Sequence, residues 1–115
     1  MTKLRTVAVV AALALAACAP TVPLTPEQQA AVAAQRAISA CSNYLKAANS
    51  LVFWDELGYL TPEQHASFVK LDNQVYPICT QPTPPASAAG TVDSALDQVE
   101  VLLEQAVAAQ RKGAN

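Results

Sequence analysis

The tetrapeptide Thr-Pro-Glu-Gln occurs twice, at residues 25–28 and 61–64, and it fixes where two helices can begin. Threonine is a good N-terminal cap, proline is favoured at the first helical position, and glutamine three residues after the cap completes a capping box. The residues after the two copies do not match each other, so shared capping chemistry explains the repeat better than an internal duplication. The sequence therefore predicts two helices that start in the same way.

The ends of these two helices are predicted from glycine and proline. The first helix meets no breaker before Gly58, so we predict a helix over about 26–57. Pro77 disfavours a helical conformation for the residue before it, so we predict that the second helix covers 62–76. The short segment between the helices predicts a tight turn and an antiparallel pair.

Apolar stripes and two cysteines give the register of this pair. Across a tight antiparallel turn, residues that face each other have numbers with a constant sum. Cys41 and Cys79 give the same sum as pairs drawn from the two stripes, so cysteines and stripes indicate a single helical hairpin, residues 25–79. The stripes are Ala34, Ile38, Cys41, Leu45, Ala48 and Val52 in the first helix, and Phe68, Leu71 and Val75 in the second.

A third helix is predicted after a proline-rich segment, residues 80–90. Three prolines there favour polyproline II, and we expect a spacer; a ligand for a proline-recognition domain or a peptidoglycan-facing stalk are the alternatives. Thr91 predicts the cap of a helix over 91–112, and Gly113 predicts its stop. Its heptad-like stripe is short, so packing on the hairpin is the simpler use. The stripe is Val92, Leu96, Val99, Leu103 and Ala106, widened by Leu102 and Val107.

The N-terminal segment has the composition of a signal peptide. Lys3 and Arg5 precede eleven apolar residues, Val7–Ala17, and small residues follow at the expected cleavage point. The run is shorter than the roughly 20 apolar residues that a membrane span requires. A short buried or transmembrane helix, and an ordinary signal peptide with a coincidental cysteine, are the alternatives. The expected fold is therefore all-α, a disulfide-linked hairpin plus a C-terminal helix (91–113), preceded by a cleaved signal peptide (1–17).

The motif Leu15-Ala16-Ala17-Cys18 resembles the lipobox of bacterial lipoprotein precursors. This resemblance, which covers only the first 18 residues, implies cleavage before Cys18, a diacylglyceryl group on its sulfur and acylation, for example with palmitate, of the new N-terminus. Residues 18–24 would then be a lipidated tether. The residue directly after the cysteine is Ala19 rather than an aspartate. In a Gram-negative cell of the lipoprotein-sorting type, this resembles the signal for the outer membrane. The resemblance thus implies an envelope protein anchored to the membrane by lipid and facing the periplasm.

The charge of the chain argues against a nucleic-acid partner, and its cysteine content favours a disulfide over a metal site. Without residues 1–17 the chain keeps five of its seven basic residues and all nine acidic ones, which leaves a side-chain charge of −4. An acidic chain has no electrostatic footprint for nucleic acid. In an oxidising compartment Cys41 and Cys79 are expected to form a disulfide, with two free thiols or a metal site as alternatives. Two cysteines and His65 are too few for a structural zinc site, so no metal or cofactor is expected.

Three groups of side chains are candidates for function. Asp93, Asp97, Glu100 and Glu104 form an acidic ridge on the third helix, which we expect to be a solvated face. His65 is expected to be a lone surface histidine beside Glu63. At the predicted hairpin tip, Trp54 and Tyr59 accompany Phe53 and Leu60, and either cap the core or form a surface for an envelope partner. Trp54 is expected to be the most exposed, because it lies off the predicted stripe.

No nucleophile–base pair or metal-ligand set is visible, so we expect no enzyme. The predicted function is that of a small membrane-anchored envelope lipoprotein with a structural or binding role. A phage- or prophage-encoded lipoprotein that blocks a receptor or assists lysis is the first alternative, and an enzyme is the second.

Overall fold

The computed structural model describes residues 22–114, and over that range it contains three α-helices and no strand. Helix α1 covers Pro26–Glu56, α2 covers Pro62–Cys79 and α3 covers Ala89–Ala114, with a short 3₁₀ turn over Ala86–Ala88 before α3. The all-α fold with a hairpin and a third helix is confirmed. The expected signal peptide and Cys18 lie outside the described residues.

Both helices of the hairpin start with the capping box that the repeated tetrapeptide predicts. The hydroxyl oxygens of Thr25 and Thr61 accept from the backbone N–H of the third helical residue, a glutamine in both cases, at 3.2 Å, and the glutamine side chains accept from the threonine N–H at 2.9 Å. At the turn, Gly58 has a φ of +86°, a conformation that residues with a β-carbon rarely adopt. The glycine therefore ends α1 as expected and lets the chain reverse.

The predicted end of α2 at Tyr76 is wrong, because the helix continues through Pro77 to Cys79. Pro77 lies in the last turn, where its missing N–H removes only one helical hydrogen bond. The carbonyls at the end of the helix have donors from the residues that follow: the Thr80 hydroxyl donates to the carbonyl of Tyr76 at 2.8 Å, and the Gln81 amide donates to that of Pro77 at 3.3 Å. Packing on both sides of the proline thus outweighs its local preference.

The expected disulfide is present and sets the hairpin register. Cys41 of α1 and Cys79 of α2 are bonded, with their Cα atoms 5.2 Å apart and a sequence separation of 38. Both cysteines belong to the hydrophobic core. In the chain-entropy model a loop of this length contributes on the order of 3–4 kcal/mol to stability, a large share for a domain with a small core.

The buried stripe of α1 differs from the predicted one. Ile38 and Val52 are 44% and 41% exposed, and Leu45 is only half-buried, whereas Cys41 and Ala48 are buried as expected. The prediction considered α2 as the only partner, but α3 also packs on α1, so the buried arc is rotated towards α3. Alanines in this arc allow the helices to approach closely. The buried residues of α1 are Ala37, Ala40, Cys41, Tyr44, Ala48 and Leu51.

Helix α3 begins two residues before the predicted cap and ends after the predicted stop. Thr91 lies inside the helix, because the 3₁₀ turn that starts after Pro85 leads directly into α3, and Pro84 is buried rather than part of a free spacer. Gly113 has no positive φ, so the helix continues through it. The predicted packing of α3 on the hairpin is correct, and Val92, Val99 and Ala106 are buried as predicted. Leu96 and Leu103 are only half-buried. Its buried residues are Val92, Ala95, Val99, Leu102 and Ala106.

Two grooves show how α3 lies on the hairpin. Leu96 and Glu100 share a groove with Asn43 and Ser50 of α1, so α3 lies beside α1. On the other side, the Gln64 side chain at the start of α2 donates to Gln105 of α3 at 2.8 Å, so α3 runs antiparallel to α2. The three helices therefore enclose one core.

Candidate functional site

The hairpin tip carries a row of three aromatic rings. Phe53 and Trp54 are in the last turn of α1, and their ring centroids lie 5.9 Å apart with planes inclined at 77°. The Tyr59 N–H donates to the Trp54 carbonyl at 3.1 Å, which folds Tyr59 back so that its ring lies 5.6 Å from that of Trp54. Both contacts are edge-to-face, a favoured geometry for aromatic pairs.

Exposure within this row differs from expectation. Phe53 is 57% exposed and Leu57 is 54% exposed, while Trp54 and Tyr59 are half-buried and Leu60 packs against the core. The expectation that Trp54 is the most exposed ring is therefore wrong. Residues 53 and 54 are 100° apart on the helix, and Phe53 lies opposite the buried stripe of α1, whereas Trp54 lies beside it. Phe53 and Leu57 thus extend the apolar tip surface that Trp54 and Tyr59 begin.

His65 has a partner, contrary to the expectation of a lone surface histidine. Its Nδ1 lies 2.5 Å from Oδ2 of Asp55, which joins the first turn of α2 to the last turn of α1. The histidine side chain is about half exposed, so the pair is expected to contribute little to stability. The sum of 55 and 65 equals the sum of the cysteine numbers, so the hairpin register already placed these two residues opposite each other.

Tyr44 and Asp72 form a second polar pair across the hairpin, and the sequence analysis missed it. Tyr44 is fully buried, and its hydroxyl donates to Oδ1 of Asp72 at 3.1 Å. Burial, reinforced by the neighbouring Asp72 carboxylate, raises the pKa of the Tyr44 phenol well above its ordinary value. Tyr44 lies off the predicted stripe, but a tyrosine three residues after a core cysteine is a signal that could have identified it.

The acidic ridge on α3 is exposed, as expected for a solvated face. Within residues 22–114 no group of three or more His, Cys, Asp or Glu side chains comes together in a way that could hold a metal ion. The groove between α2 and α3, with a volume of about 380 Å³, is lined mainly by neutral side chains, with Glu63 as its one acidic residue.

In the described part of the chain, no helix is both long and apolar enough to cross a membrane. Comparison with protein-family models, with curated proteins and with solved structures finds no match to this chain.

Proposed function

We propose that this protein is a small envelope lipoprotein, anchored through lipids on Cys18 and serving a structural or binding role in the periplasm. The observation that carries the proposal is the motif Leu15-Ala16-Ala17-Cys18 behind a basic and apolar segment. The Cys41–Cys79 disulfide supports it, because disulfides form and persist in oxidising compartments such as the periplasm.

Several acyl chains make a stable anchor, whereas a single one is marginal. A tether over residues 18–24 reaches at most about 20–25 Å from the membrane surface when fully extended. Helix α1, with 31 residues, adds about 46 Å if it stands away from the bilayer. The hairpin tip would then be the part of the molecule farthest from the membrane.

A binding role for the tip follows from this placement. Aromatic side chains with a polar rim are enriched at binding hot spots, and the tip combines Phe53, Trp54 and Tyr59 with exposed Glu56. The partner proposed for this surface is another component of the envelope. The tip lies on the outer side of the hairpin turn, so a partner can reach it without opening the core.

Lipidation is tested with the Cys18→Ala variant of the full chain, expressed in bacteria fed a palmitate analogue. The wild-type chain is expected to carry the label, to lose its first 17 residues and to fractionate with membranes. The variant is expected to lose the label and the anchor. A Cys41→Ser, Cys79→Ser double variant is the control, because it keeps Cys18 and should retain the label. If the Cys18→Ala chain stays equally labelled and membrane-bound, the proposal is wrong.

A further inference from the structure

The Cys41–Cys79 disulfide closes the end of the hairpin that lies away from the turn. Cys79 is the last residue of α2, and its Cα atom lies 5.2 Å from that of Cys41 in α1. At the other end, the turn at Gly58 joins the two helices. Covalent connections therefore hold α2 against α1 at both ends of α2, and reduction of the disulfide removes one of them.

The last turn of α2 depends on the disulfide more than the rest of the helix does. Pro77 has no N–H to donate, and it disfavours a helical conformation at Tyr76. Tyr76 and Pro77 are both exposed, so in this turn the contacts with the core come from Ile78 and Cys79. The bond from Cys79 to Cys41 therefore opposes the local preference of Pro77.

Few large side chains fill the core that the disulfide supplements. Fifteen hydrophobic residues are buried among those that the structure describes, but five of them are alanines and two are the bonded cysteines themselves. Besides Cys79, α2 contributes only Phe68, Leu71 and Val75. Removing a native disulfide from a small domain often abolishes folding at about 37 °C, because the unfolded chain regains the freedom that the closed loop withheld. A thin core leaves little stability to offset that loss.

Burial of the two cysteines decides when the bond can form or break. Cys41 is 4% exposed and Cys79 is 9% exposed. Thiol–disulfide exchange begins with the attack of a thiolate on a sulfur atom, so burial shields the bond in the folded chain. In an unfolded chain the same two cysteines are accessible. The bond is therefore expected to form before the helices pack and to persist afterwards.

We propose that the Cys41–Cys79 pair is a redox switch of the fold: the chain with two free thiols does not hold the three-helix structure, and oxidation by a disulfide donor establishes it. One cysteine loses its proton, attacks the donor disulfide and forms a mixed disulfide, which releases the first donor thiol. The other cysteine loses its proton and attacks the protein sulfur of the mixed disulfide, which forms the hairpin bond and releases the second donor thiol. Two electrons and two protons thus pass from the protein to the donor.

The switch would link folding to the compartment in which the chain resides. Cytosolic reductants keep thiols reduced, whereas disulfides form and persist in the periplasm. The chain is therefore expected to stay unfolded until it has left the cytoplasm. This consequence rests on the proposed function, but the dependence of the fold on oxidation does not.

The test uses the full chain with Cys18→Ala in a mild detergent, because Cys41 and Cys79 are then its only cysteines. The protein is unfolded in urea with or without excess dithiothreitol, and the urea is removed while each redox state is kept. At about 37 °C the oxidised chain is expected to regain the helical circular-dichroism signal of the untreated protein, and the reduced chain less than about half of it. Oxidised glutathione, the disulfide donor in this experiment, is then expected to restore the signal of the reduced chain.

Two controls separate the bond from other effects of the reductant. The Cys41→Ala, Cys79→Ala variant of the same chain cannot form the bond, so it is expected to give a low signal that is the same with and without dithiothreitol. Dithiothreitol added to the folded, oxidised chain without urea is expected to reduce the bond at least about tenfold more slowly than in urea, because the sulfur atoms are buried.

Three results would overturn the switch: a reduced chain that regains the full helical signal, a Cys41→Ala, Cys79→Ala variant that folds like the oxidised chain, or a reduced chain that oxidised glutathione does not restore. None of these measurements depends on a lipid at Cys18, which the tested chain lacks. A failure of the switch and a failure of lipidation are therefore distinguishable.

Discussion

Tyr44 is a fully buried phenol whose hydroxyl reaches a half-buried carboxylate, so the pair combines core packing with a charge-assisted hydrogen bond. Replacing Tyr44 by phenylalanine keeps the ring and removes only this bond. We expect the Tyr44→Phe variant to lose about 1–2 kcal/mol of unfolding free energy, as measured by urea denaturation at pH 7. Tyr76→Phe is the control, since Tyr76 is largely exposed and should change stability by less than about 0.5 kcal/mol.

The raised pKa of Tyr44 also predicts how stability changes at alkaline pH. In the unfolded chain the phenol titrates near its ordinary pKa of 10.0, and in the folded chain it titrates at a higher pH because burial and Asp72 disfavour the phenolate. Between these two values the folded state holds more protons than the unfolded state. The stabilisation is therefore complete below about pH 10 and is lost as pH rises above it.

This loss is measured as the slope of unfolding free energy against pH between about pH 9 and pH 11. The Tyr44→Phe variant should show a shallower decline than the wild-type chain, because it has no phenol to ionise at this position. Equal slopes for wild type and Tyr44→Phe would contradict the assignment of the alkaline transition to Tyr44.

At the scale of the helices, the threonines near the starts of α2 and α3 have different roles. Thr61 caps α2 through a full capping box, whereas Thr91 lies inside α3 and caps nothing. Thr61→Ala is expected to lower the unfolding free energy by about 1 kcal/mol. Thr91→Ala is expected to have no destabilising effect, because alanine has the higher helix propensity. Thermal or urea denaturation followed by circular dichroism distinguishes them, and equal losses would restore Thr91 as a cap.

Two neighbouring residues of α1 test which stripe is the core. Leu51 is fully buried, while Val52, which the sequence pattern assigned to the core, is 41% exposed. Leu51→Ala should cost about 2–5 kcal/mol because it leaves a cavity. Val52→Ala should cost less than about 1 kcal/mol, because its side chain is largely exposed. Urea denaturation of dilute protein measures both, and a larger loss at Val52 would support the stripe predicted from sequence.

The starts of α1 and α2 and the disulfide could be predicted from sequence because their causes are local or are fixed by register. Capping needs four consecutive residues, and Cys41 and Cys79 lie at positions that match the turn at Gly58. The exact buried arc of α1 could not be predicted. Apolar residues occur on two adjacent stripes, and the choice between them depends on where α3 packs, which is a tertiary effect.

The end of α2 and the start of α3 were missed for the same kind of reason. Proline preferences are local, but the helix passes through Pro77 because Val75 and Cys79 are held in the core on either side of it. At the tip, Phe53 is more exposed than Trp54 because the buried arc of α1 is rotated towards α3, and the sequence did not predict that rotation. The Asp55–His65 pair could have been predicted from the register, because both residues satisfy it.

For the whole molecule, the three helices share a single core, so the chain is expected to unfold as one unit. The fully buried side chains Leu51, Val75 and Val99 come from α1, α2 and α3 respectively, and they lie in the same hydrophobic cluster. Removing any one helix exposes the apolar faces of the other two. Small single domains with one core usually unfold in a single cooperative transition.

This cooperativity can be measured with two probes that report on different parts of the molecule. Trp54, the chain's single tryptophan, reports on the tip through its fluorescence, whereas far-ultraviolet circular dichroism reports on all three helices. The two urea transitions are expected to coincide, and Val99→Ala, a buried truncation in α3, is expected to shift both to lower urea by the same amount. If Val99→Ala shifted only the circular dichroism transition, α3 would be an independent element and the hairpin would have a core of its own. Coincident shifts mean instead that α3 stabilises the tip surface, although Val99 is not part of it.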